Sequence, residues 1–365
     1  MPTSFWRALV ALALVPASQA GIAVVETGEL GGARYRIDIP EEWNRGLVVY
    51  MHGYSPAPND PDDERQTERL RFFLDEGYAL LRSGYSAGGW AVEEAIQETE
   101  ALRRRFVAEY GEPRETFVTG HSMGGFLTMT MIERFPHIYA AGLPLCGPLG
   151  PAAWFMERRV FDFRVVFDAY FPGALPSPAR TPTGYRNTAE ENARLEALLS
   201  AHPEKAAALR QYTALRTDQE LARTAAFWTF VLMDLQQRSG GNAFDNRNTL
   251  YSGSPDDDWL NAAVERYAAE PGAAEYLRLY YEPHGRITRP MLAIHTTYDP
   301  LVPPWVPNRY AELTERAGSG ALFVQRYTPR PGHCAIESEE IRAGFRDLRE
   351  WVETGIAPGG GLQGP

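Results

Sequence analysis

Apolar and polar residues follow two different periods along this chain. Residues 22–27 and 33–39 alternate apolar with polar positions, which predicts two antiparallel strands separated by Gly31 and Gly32. The stretch 46–52 is a continuous apolar run, as is typical of a strand buried on both faces of a parallel sheet. Segments with apolar residues at helical spacing separate this run from later ones of the same kind. The pattern therefore predicts the α/β class.

Strands and helices alternate on both sides of the middle of the chain. The further predicted strands lie at 78–83, 116–119, 140–146, 290–296 and 322–327. The predicted helices lie at 65–76, 90–110, 126–134, 305–317 and 338–352. Such alternation predicts a mostly parallel sheet that has right-handed crossovers and is flanked by helices.

The middle of the chain has a helical pattern without clear strand runs, and it begins with a group of bulky aromatic residues between Trp154 and Phe171. We predict that this segment is a large helical cap inserted into the sheet domain. The Gly- and Pro-rich end is predicted to be a disordered tail. The predicted domains are the core at 21–148 and 289–356, the cap at 149–288 and the tail at 357–365.

Composition narrows the class of protein. The chain has 365 residues, of which 44% are hydrophobic, enough for one large α/β domain with an insertion or for two domains. Its net charge of -11 argues against nucleic acid or an anionic membrane surface as a partner.

The N-terminus has the layout of a secretory signal. Arg7 precedes an apolar run at 8–15, and small residues follow up to Ala20. This run is shorter than the ~20 residues that span a bilayer. We predict a signal peptide at 1–20, with a buried N-terminal helix as the alternative, and no membrane span elsewhere. The mature protein is therefore expected to be soluble and either secreted or periplasmic.

The candidate nucleophile is Ser122, in the sequence Gly-His-Ser-Met-Gly at 120–124. A short β-branched run precedes these residues and a helical segment follows them, which is the strand–turn–helix context in which Gly-x-Ser-x-Gly forms a nucleophile elbow. The glycines let strand and helix approach each other, and the helix N-terminus faces the charge that develops during attack. The alternative interpretation is a turn whose glycines are required only sterically.

A general base and an acid are expected to follow the serine in the chain. Of the seven histidines, His333 lies in a loop between the last predicted strand and the closing helix, where imidazole can reach the serine. Asp299 ends a predicted strand between the two, so its carboxylate can accept the other ring N–H. The alternatives are a structural loop histidine and a helix- or turn-capping aspartate. His295 is predicted to be packed inside a strand.

These motifs resemble those of the α/β-hydrolases. The matching pieces are His52-Gly53-Tyr54 after a strand, the elbow at 120–124, Asp299 with Val302-Pro303, and Gly332-His333. The resemblance covers residues 33–148 and 289–351. It implies the α/β-hydrolase fold and a triad of Ser122, His333 and Asp299, and it implies no metal or organic cofactor.

The resemblance also implies an oxyanion hole formed by the backbone N–H groups of Met123 and Tyr54. The lipase pattern has further glycines where this chain has Tyr54-Ser55. The identity of the second oxyanion-hole donor is therefore open, and the Tyr54 hydroxyl is an alternative to a backbone N–H. The stretch 86–92 loosely resembles secreted feruloyl-esterase-like and polyester-depolymerase-like members, which makes Trp90 a candidate substrate-binding residue. Phe163 and Phe167 are predicted to form an apolar wall for the acyl group. The alternative is that they belong to the core of the cap and never touch the substrate.

The function predicted from these residues is hydrolysis of carboxylic esters through an acyl-enzyme. The substrate is expected to be a small-molecule or polymeric ester, and the oligomeric state is open. A peptidase of the prolyl-peptidase type and a non-catalytic binding protein on the same scaffold are the alternatives. Amide cleavage in preference to ester cleavage would favour the peptidase.

The chain has two cysteines, Cys146 and Cys334. In an exported protein such a pair tends to be oxidised. Cys146 closes a predicted strand and Cys334 follows His333, so both belong at the carboxyl edge of the sheet. We predict a disulfide between them, and two unlinked thiols are the alternative.

Overall fold

The computed structural model describes residues 21–364, so the predicted signal peptide at 1–20 lies outside the described residues. Within this range nine strands form one sheet. In chain order they are β1 Ile22–Leu30, β2 Ala33–Pro40, β3 Gly46–Met51, β4 Ala79–Ser83, β5 Glu115–His121, β6 Ala141–Leu145, β7 Met291–Tyr298, β8 Phe323–Pro331 and β9 Gly361–Leu362.

The helices lie between these strands and after β8. In chain order they are α1 Glu64–Asp75, α2 Val92–Tyr110, α3 Met123–Arg134, α4 Ala152–Phe155, α5 Asp162–Tyr170, α6 Ala189–Ala201, α7 Pro203–Thr213, α8 Asp218–Ser239, α9 Asp257–Ala263, α10 Pro271–Leu279, α11 Asn308–Arg316 and α12 Ser338–Thr354. A π-helical turn, Met156–Phe161, joins α4 to α5, and a short 3₁₀ turn, Gly320–Leu322, precedes β8. No helix within 21–364 has the length and apolarity needed to cross a bilayer.

The sheet has the order β1-β2-β4-β3-β5-β6-β7-β8-β9. β1 pairs with β2 and β2 with β4 in antiparallel fashion, and all other neighbours are parallel. The predicted mostly parallel sheet flanked by helices is therefore confirmed, and the chain has the α/β-hydrolase fold. Because β5, β6, β7 and β8 are consecutive parallel neighbours, the loops after them share one edge of the sheet.

Both faces of the sheet are covered. The six residues of β3 are all buried, as their continuous apolar run predicts. On one face, Val48 and Tyr50 belong to a cluster with apolar residues of α1 and α12, including Phe73 and Phe345. On the other face, residues of β3 join a larger cluster that contains α2, α3 and the helices that follow β6.

The chain between β6 and β7 contains α4 to α10, the π-helical turn and loops, and we call it the helical segment. Its longest helix, α8, begins with a capping box in which Thr217 and Glu220 satisfy each other's backbone N–H groups. Its aromatic residues pack on one another, for example Phe161 on Phe244 with ring centroids 4.9 Å apart.

The end of the chain differs from the prediction of a disordered tail. Gly361 and Leu362 pair in parallel with Arg326 and Tyr327 of β8. The Arg326 side chain also donates to the carbonyl of Gly359 over 2.8 Å. An edge strand offers unpaired backbone groups, and a Gly- and Pro-rich segment can use them without needing apolar side chains. Composition alone does not reveal such pairing.

Candidate active site

Ser122 lies at the turn between β5 and α3. Its φ of 57° and ψ of -119° are unusual for a residue that has a side chain. A Cβ on Gly120 would lie 2.3 Å from the Met51 carbonyl oxygen, and one on Gly124 would lie 2.0 Å from it. Both flanking glycines are therefore sterically required. The N–H of Ser122 donates to the carbonyl of Leu145 over 2.9 Å, which attaches the turn to the end of β6.

Three side chains from three loops meet at this turn. Nε2 of His333 is 2.9 Å from Oγ of Ser122, and its Nδ1 is 2.7 Å from Oδ2 of Asp299. Asp299 follows β7 and His333 follows β8, so the parallel neighbours of the sheet bring their loops together. The arrangement can take a proton from the serine hydroxyl and hold the resulting imidazolium beside a carboxylate.

Asp299 is 3% exposed and fully hydrogen-bonded. Its Oδ1 accepts from the N–H groups of Leu301 and Val302 over 2.8 and 2.9 Å. Burial by itself raises the pKa of Asp299, but the hydrogen bond and charge of His333, with smaller contributions from His295 and the Val302 N–H, bring it below its ordinary value. An ionised Asp299 accepts the Nδ1–H of His333, which leaves Nε2 free to accept from Ser122.

The predicted disulfide between Cys146 and Cys334 is present, with 5.2 Å between the two Cα atoms. Cys146 directly follows β6, and its N–H donates to the carbonyl of Ile294 in β7. The sulfur of Cys334 lies 3.5 Å from Nε2 of His333. The bond therefore connects the strand beside the elbow to the loop that carries the histidine.

A cavity of about 320 Å³ opens at Ser122. Most of its lining is apolar, and it joins residues of the sheet domain to residues of α4, the π-helical turn and α8. The candidate residues Tyr54, Met123, Trp90 and His333 line it. Its other lining residues are Gly53, His121, Pro148, Phe155, Met156, Phe227, Trp228, Val231, Leu301, Val302 and Cys334.

The helical segment supplies different residues to this cavity from those predicted. Phe163 and Phe167 are 2% and 0% exposed, and neither lines the cavity. Phe167 lies instead beside Phe171, with ring centroids 5.6 Å apart, in the core of the helical segment. Phe155, from the start of the same aromatic group, is at the cavity.

Sequence reasoning also missed the contribution of α8, whose Phe227, Trp228 and Val231 face Ser122. These three residues recur at helical spacing, which signals a buried face but does not indicate what that face contacts.

The segment Gly53-Tyr54 lies against the elbow. A Cβ on Gly53 would lie 3.0 Å from the His121 carbonyl oxygen and 3.3 Å from Cβ of Ser122. Nδ1 of His52 is 2.7 Å from the carbonyl oxygen of Gly53, a contact that fixes the peptide unit whose N–H belongs to Tyr54. The Tyr54 hydroxyl is buried and has no hydrogen-bond partner within residues 21–364. The peptide unit that carries the Tyr54 N–H thus lies against the elbow.

Three other histidines near the site are buried. Burial lowers the pKa of His52 to about 4, despite hydrogen bonds to the Gly53 and Gly84 backbone. Burial also holds the pKa of His121 well below its ordinary value and lowers that of His295. His295 is 1% exposed, in agreement with its predicted packed position. With a pKa of about 4, the His52 imidazole is neutral at pH 7. The histidine that contacts the serine is His333, through its Nε2.

A second cavity, of about 780 Å³, adjoins the first at Tyr54 and Phe227. It is more polar, and it lies between the loop after β3 and the loop that precedes α6. Its remaining lining residues are Pro56, Ala57, Pro58, Gly88, Gly89, Thr183, Arg186, Asn187, Thr188, Phe230, Met233, Asp234 and Gln237. In the part of the chain that the structure describes, no group of three or more His, Cys, Asp or Glu side chains is placed to hold a metal ion.

Comparison with known proteins identifies one family. The model of the Tannase-like family of unknown function (DUF6351) matches residues 27–241, more than half of the chain. None of the curated proteins matches this chain.

Solved structures resemble the chain in fold at low identity. An acylaminoacyl peptidase of Pyrococcus horikoshii is 11% identical with a TM-score of 0.47, and the match covers 91% of this chain and 41% of the peptidase. An esterase of Pyrococcus furiosus is 13% identical with a TM-score of 0.46, covering 90% of this chain and 91% of the esterase. The protein TT1662 of Thermus thermophilus is 13% identical with a TM-score of 0.44, covering 91% and 99%. The chain thus spans about two fifths of the length of the peptidase.

Proposed function

The chain belongs to the tannase-like family, and we propose that it is a secreted serine hydrolase that cleaves carboxylic esters through an acyl-enzyme. The observation that carries the proposal is the continuous hydrogen-bonded chain from Ser122 through His333 to Asp299 at the floor of an apolar cavity. A serine in a strained turn, in contact with a histidine oriented by a buried carboxylate, is the arrangement that acyl transfer requires.

In the first half of the reaction, Oγ of Ser122 attacks the ester carbonyl carbon while Nε2 of His333 takes the hydroxyl proton. The carbonyl oxygen becomes an oxyanion, which accepts hydrogen bonds from the backbone N–H groups of Met123 and Tyr54. The tetrahedral intermediate collapses when the bond to the leaving oxygen breaks, and His333 returns its proton to the departing alcohol. Each oxyanion donor of this kind typically contributes ~10²–10³ in turnover.

In the second half, water enters and gives a proton to Nε2 of His333 as its oxygen attacks the acyl carbon. A second tetrahedral intermediate forms in the same oxyanion pocket. Its collapse breaks the bond to Oγ of Ser122, which recovers its proton from His333, and the carboxylic acid leaves. Asp299 remains ionised throughout and stabilises the imidazolium in both halves.

The two cavities supply a place for each side of the ester. The apolar cavity at Ser122 suits an aromatic or medium-chain acyl group, with Trp90, Phe155 and Trp228 as walls. The adjoining polar cavity suits the alcohol side, beyond Tyr54. In this proposal the helical segment acts as a cap, because it supplies part of both linings.

A substrate panel tests the proposal. The purified mature protein is assayed against matched p-nitrophenyl esters, thioesters and amino-acyl p-nitroanilides, with Ser122→Ala as the inactive control. The proposal expects ester turnover that disappears in the variant. Faster cleavage of the anilides would assign a peptidase instead, and no turnover of any member, together with ligand-induced thermal shifts, would assign a binding protein.

A further inference from the structure

Two peptide groups connect Arg159 to the carboxylate of Asp299. The Arg159 guanidinium, from the π-helical turn, donates to the carbonyl oxygen of Pro300 and, over 3.3 Å, to that of Leu301. The N–H groups of the same two peptide units belong to Leu301 and Val302, and they donate to Oδ1 of Asp299 over 2.8 and 2.9 Å. Each peptide unit therefore accepts from the cation at one end and donates to the anion at the other.

The burial of Arg159 makes this contact unusual. The residue is 6% exposed, and its third acceptor is the carbonyl of Thr213, 3.4 Å away. Within residues 21–364 no carboxylate oxygen lies within 4.0 Å of the guanidinium. A buried cation without a direct carboxylate partner is costly unless dipoles and a nearby anion compensate for the lost hydration.

The compensating groups are visible around Arg159. Burial lowers its pKa to about 10, while the charge of Asp299 and smaller contributions from Tyr298 and Tyr212 favour the cation. Arg159 is thus charged at neutral pH, and the largest opposing charge in its surroundings is the carboxylate at the far end of the two peptide units. π-Helical turns occur frequently at functional sites, and this one brings a helix of the helical segment into contact with the loop after β7.

We propose that Arg159 is a positioning residue, which holds Asp299 and the 300–302 loop against His333 through the two intervening peptide units. The inference rests on the proposed function of the triad. It also gives the helical segment a second role. Leu301 and Val302 line the cavity, so the loop that Arg159 holds forms part of the substrate site and also positions Asp299.

The charge of Arg159 acts on the carboxylate of Asp299 and on the histidines that face this carboxylate. Asp299 is faced by His295 of β7, whose Nε2 is 3.9 Å from Oδ2 of Asp299, and by His333 from the loop after β8. Burial lowers the pKa of His295 and so disfavours its charged form. Removing the positive charge of Arg159 makes proton binding easier at the carboxylate of Asp299, so the pKa of Asp299 rises and the acid limb of the pH–rate profile is expected to move to higher pH. Through an effective dielectric constant of ~20, the loss of a charge several ångströms away is expected to move the acid limb of the labelling profile by about one pH unit.

The experiment follows the rate at which a fluorophosphonate labels Ser122 between pH 4 and pH 9. This readout needs an activated serine but no knowledge of the natural substrate. Wild type is compared with Arg159→Gln, which removes the charge, and Arg159→Lys, which keeps it but loses the planar fork. The matched control is Arg158→Gln, which removes the same charge one residue away, from a side chain that is 44% exposed and pairs with Glu157 and Asp162.

We expect the acid limb of the labelling profile to move up by about one pH unit in Arg159→Gln. The plateau rate of this variant should fall about tenfold as the loop loosens. Arg159→Lys should keep the acid limb of wild type with a reduced plateau, and Arg158→Gln should match wild type in both. A role in packing alone would lower the plateau of both Arg159 variants and leave the acid limb in place, which overturns the proposal.

Two further outcomes are decisive. If Arg159→Gln does not fold, Arg159→Met, a neutral apolar side chain that suits a buried position, takes its place. An acid limb that moves up in Arg159→Met but not in Arg159→Lys supports the proposal, and an unmoved limb in both variants overturns it. If wild type itself is not labelled at Ser122, the proposed function fails. Labelling of wild type with an unmoved limb in Arg159→Gln removes only the role of Arg159.

Discussion

Cys146 is joined to Cys334 by a disulfide, so the end of β6 is bonded to the loop that carries His333. The N–H of Ser122 donates to the residue that precedes Cys146, so the nucleophile and the base are attached to neighbouring positions of one strand end. The covalent bond and the hydrogen bond together limit how far His333 can move from Ser122.

The first prediction concerns this disulfide. In Cys146→Ala/Cys334→Ala the free energy of unfolding is expected to fall by about 2–5 kcal/mol, because the bond closes a long loop in the unfolded chain. The bridged positions are separated by 188 residues. The fluorophosphonate labelling rate should fall as well, because the His333 loop gains freedom. Urea unfolding and labelling kinetics measure the two effects.

The control for the disulfide is the thiol count of the unreduced, denatured wild type. It should contain no free thiol, and wild type treated with reductant should unfold like the double variant. Equal stability and equal labelling rates in wild type and double variant would contradict a role for the bond in holding His333.

The second prediction concerns His52, whose pKa burial lowers to about 4. In the unfolded chain a histidine has a pKa of ~6.5, so the unfolded state binds a proton first as the pH falls from 7 towards 4. This favours unfolding, and the stabilisation that is present above pH ~6.5 is lost as the pH falls towards 4. Between pH 7 and pH 4.5 wild type should lose about 2–3 kcal/mol more than His52→Asn.

His52→Asn is chosen because its amide N–H can still donate to the Gly53 carbonyl while the side chain no longer titrates. His137→Asn, at an exposed position, is the matched control and should follow wild type. Urea unfolding at several pH values measures the slopes. Identical slopes for wild type and His52→Asn would mean that His52 is not the buried neutral imidazole described above.

The third prediction separates the wall of the cavity from the core of the helical segment. Phe155 lines the cavity at Ser122 and Phe163 does not, although both are buried. Phe155→Leu should shift kcat/KM towards bulkier acyl groups by about three- to tenfold relative to acetate, because a smaller side chain leaves more room. A series of p-nitrophenyl esters of increasing acyl length measures the shift.

Phe163→Leu is the counterpart from the same aromatic group. It should lower the melting temperature and leave the order of acyl preference unchanged. The reverse result, in which only Phe163→Leu changes selectivity, would restore the sequence-based expectation that this residue forms the acyl wall.

Much of the site was predictable because parallel sheets collect loops at one edge. Ser122, Asp299 and His333 each follow a strand that the apolar pattern reveals, and their order in the chain matches the order of those strands in the sheet. The two cysteines were predictable as neighbours for the same reason, whereas the bond between them needed the observed 5.2 Å between their Cα atoms.

The helical segment was less predictable. Helical spacing shows that Phe155, Phe163 and Trp228 are buried, but the direction in which each face points depends on crossing angles and loop paths that no local pattern encodes. Arg159 gave no local signal, since its partners are backbone carbonyls 141 and 142 residues away. The chain end also gave no local signal of its structure, because its pairing with β8 depends on a free strand edge elsewhere in the fold.

The central claim is that Ser122 is a nucleophile activated by His333, and labelling with a fluorophosphonate tests it most directly. The labelled protein is digested and the modified peptide is located by mass spectrometry. We expect a single adduct on Ser122 in wild type, none in Ser122→Ala, and labelling slowed by at least ~10²-fold in His333→Ala with the fold intact. An adduct at another residue, or equal labelling of wild type and His333→Ala, would contradict the account.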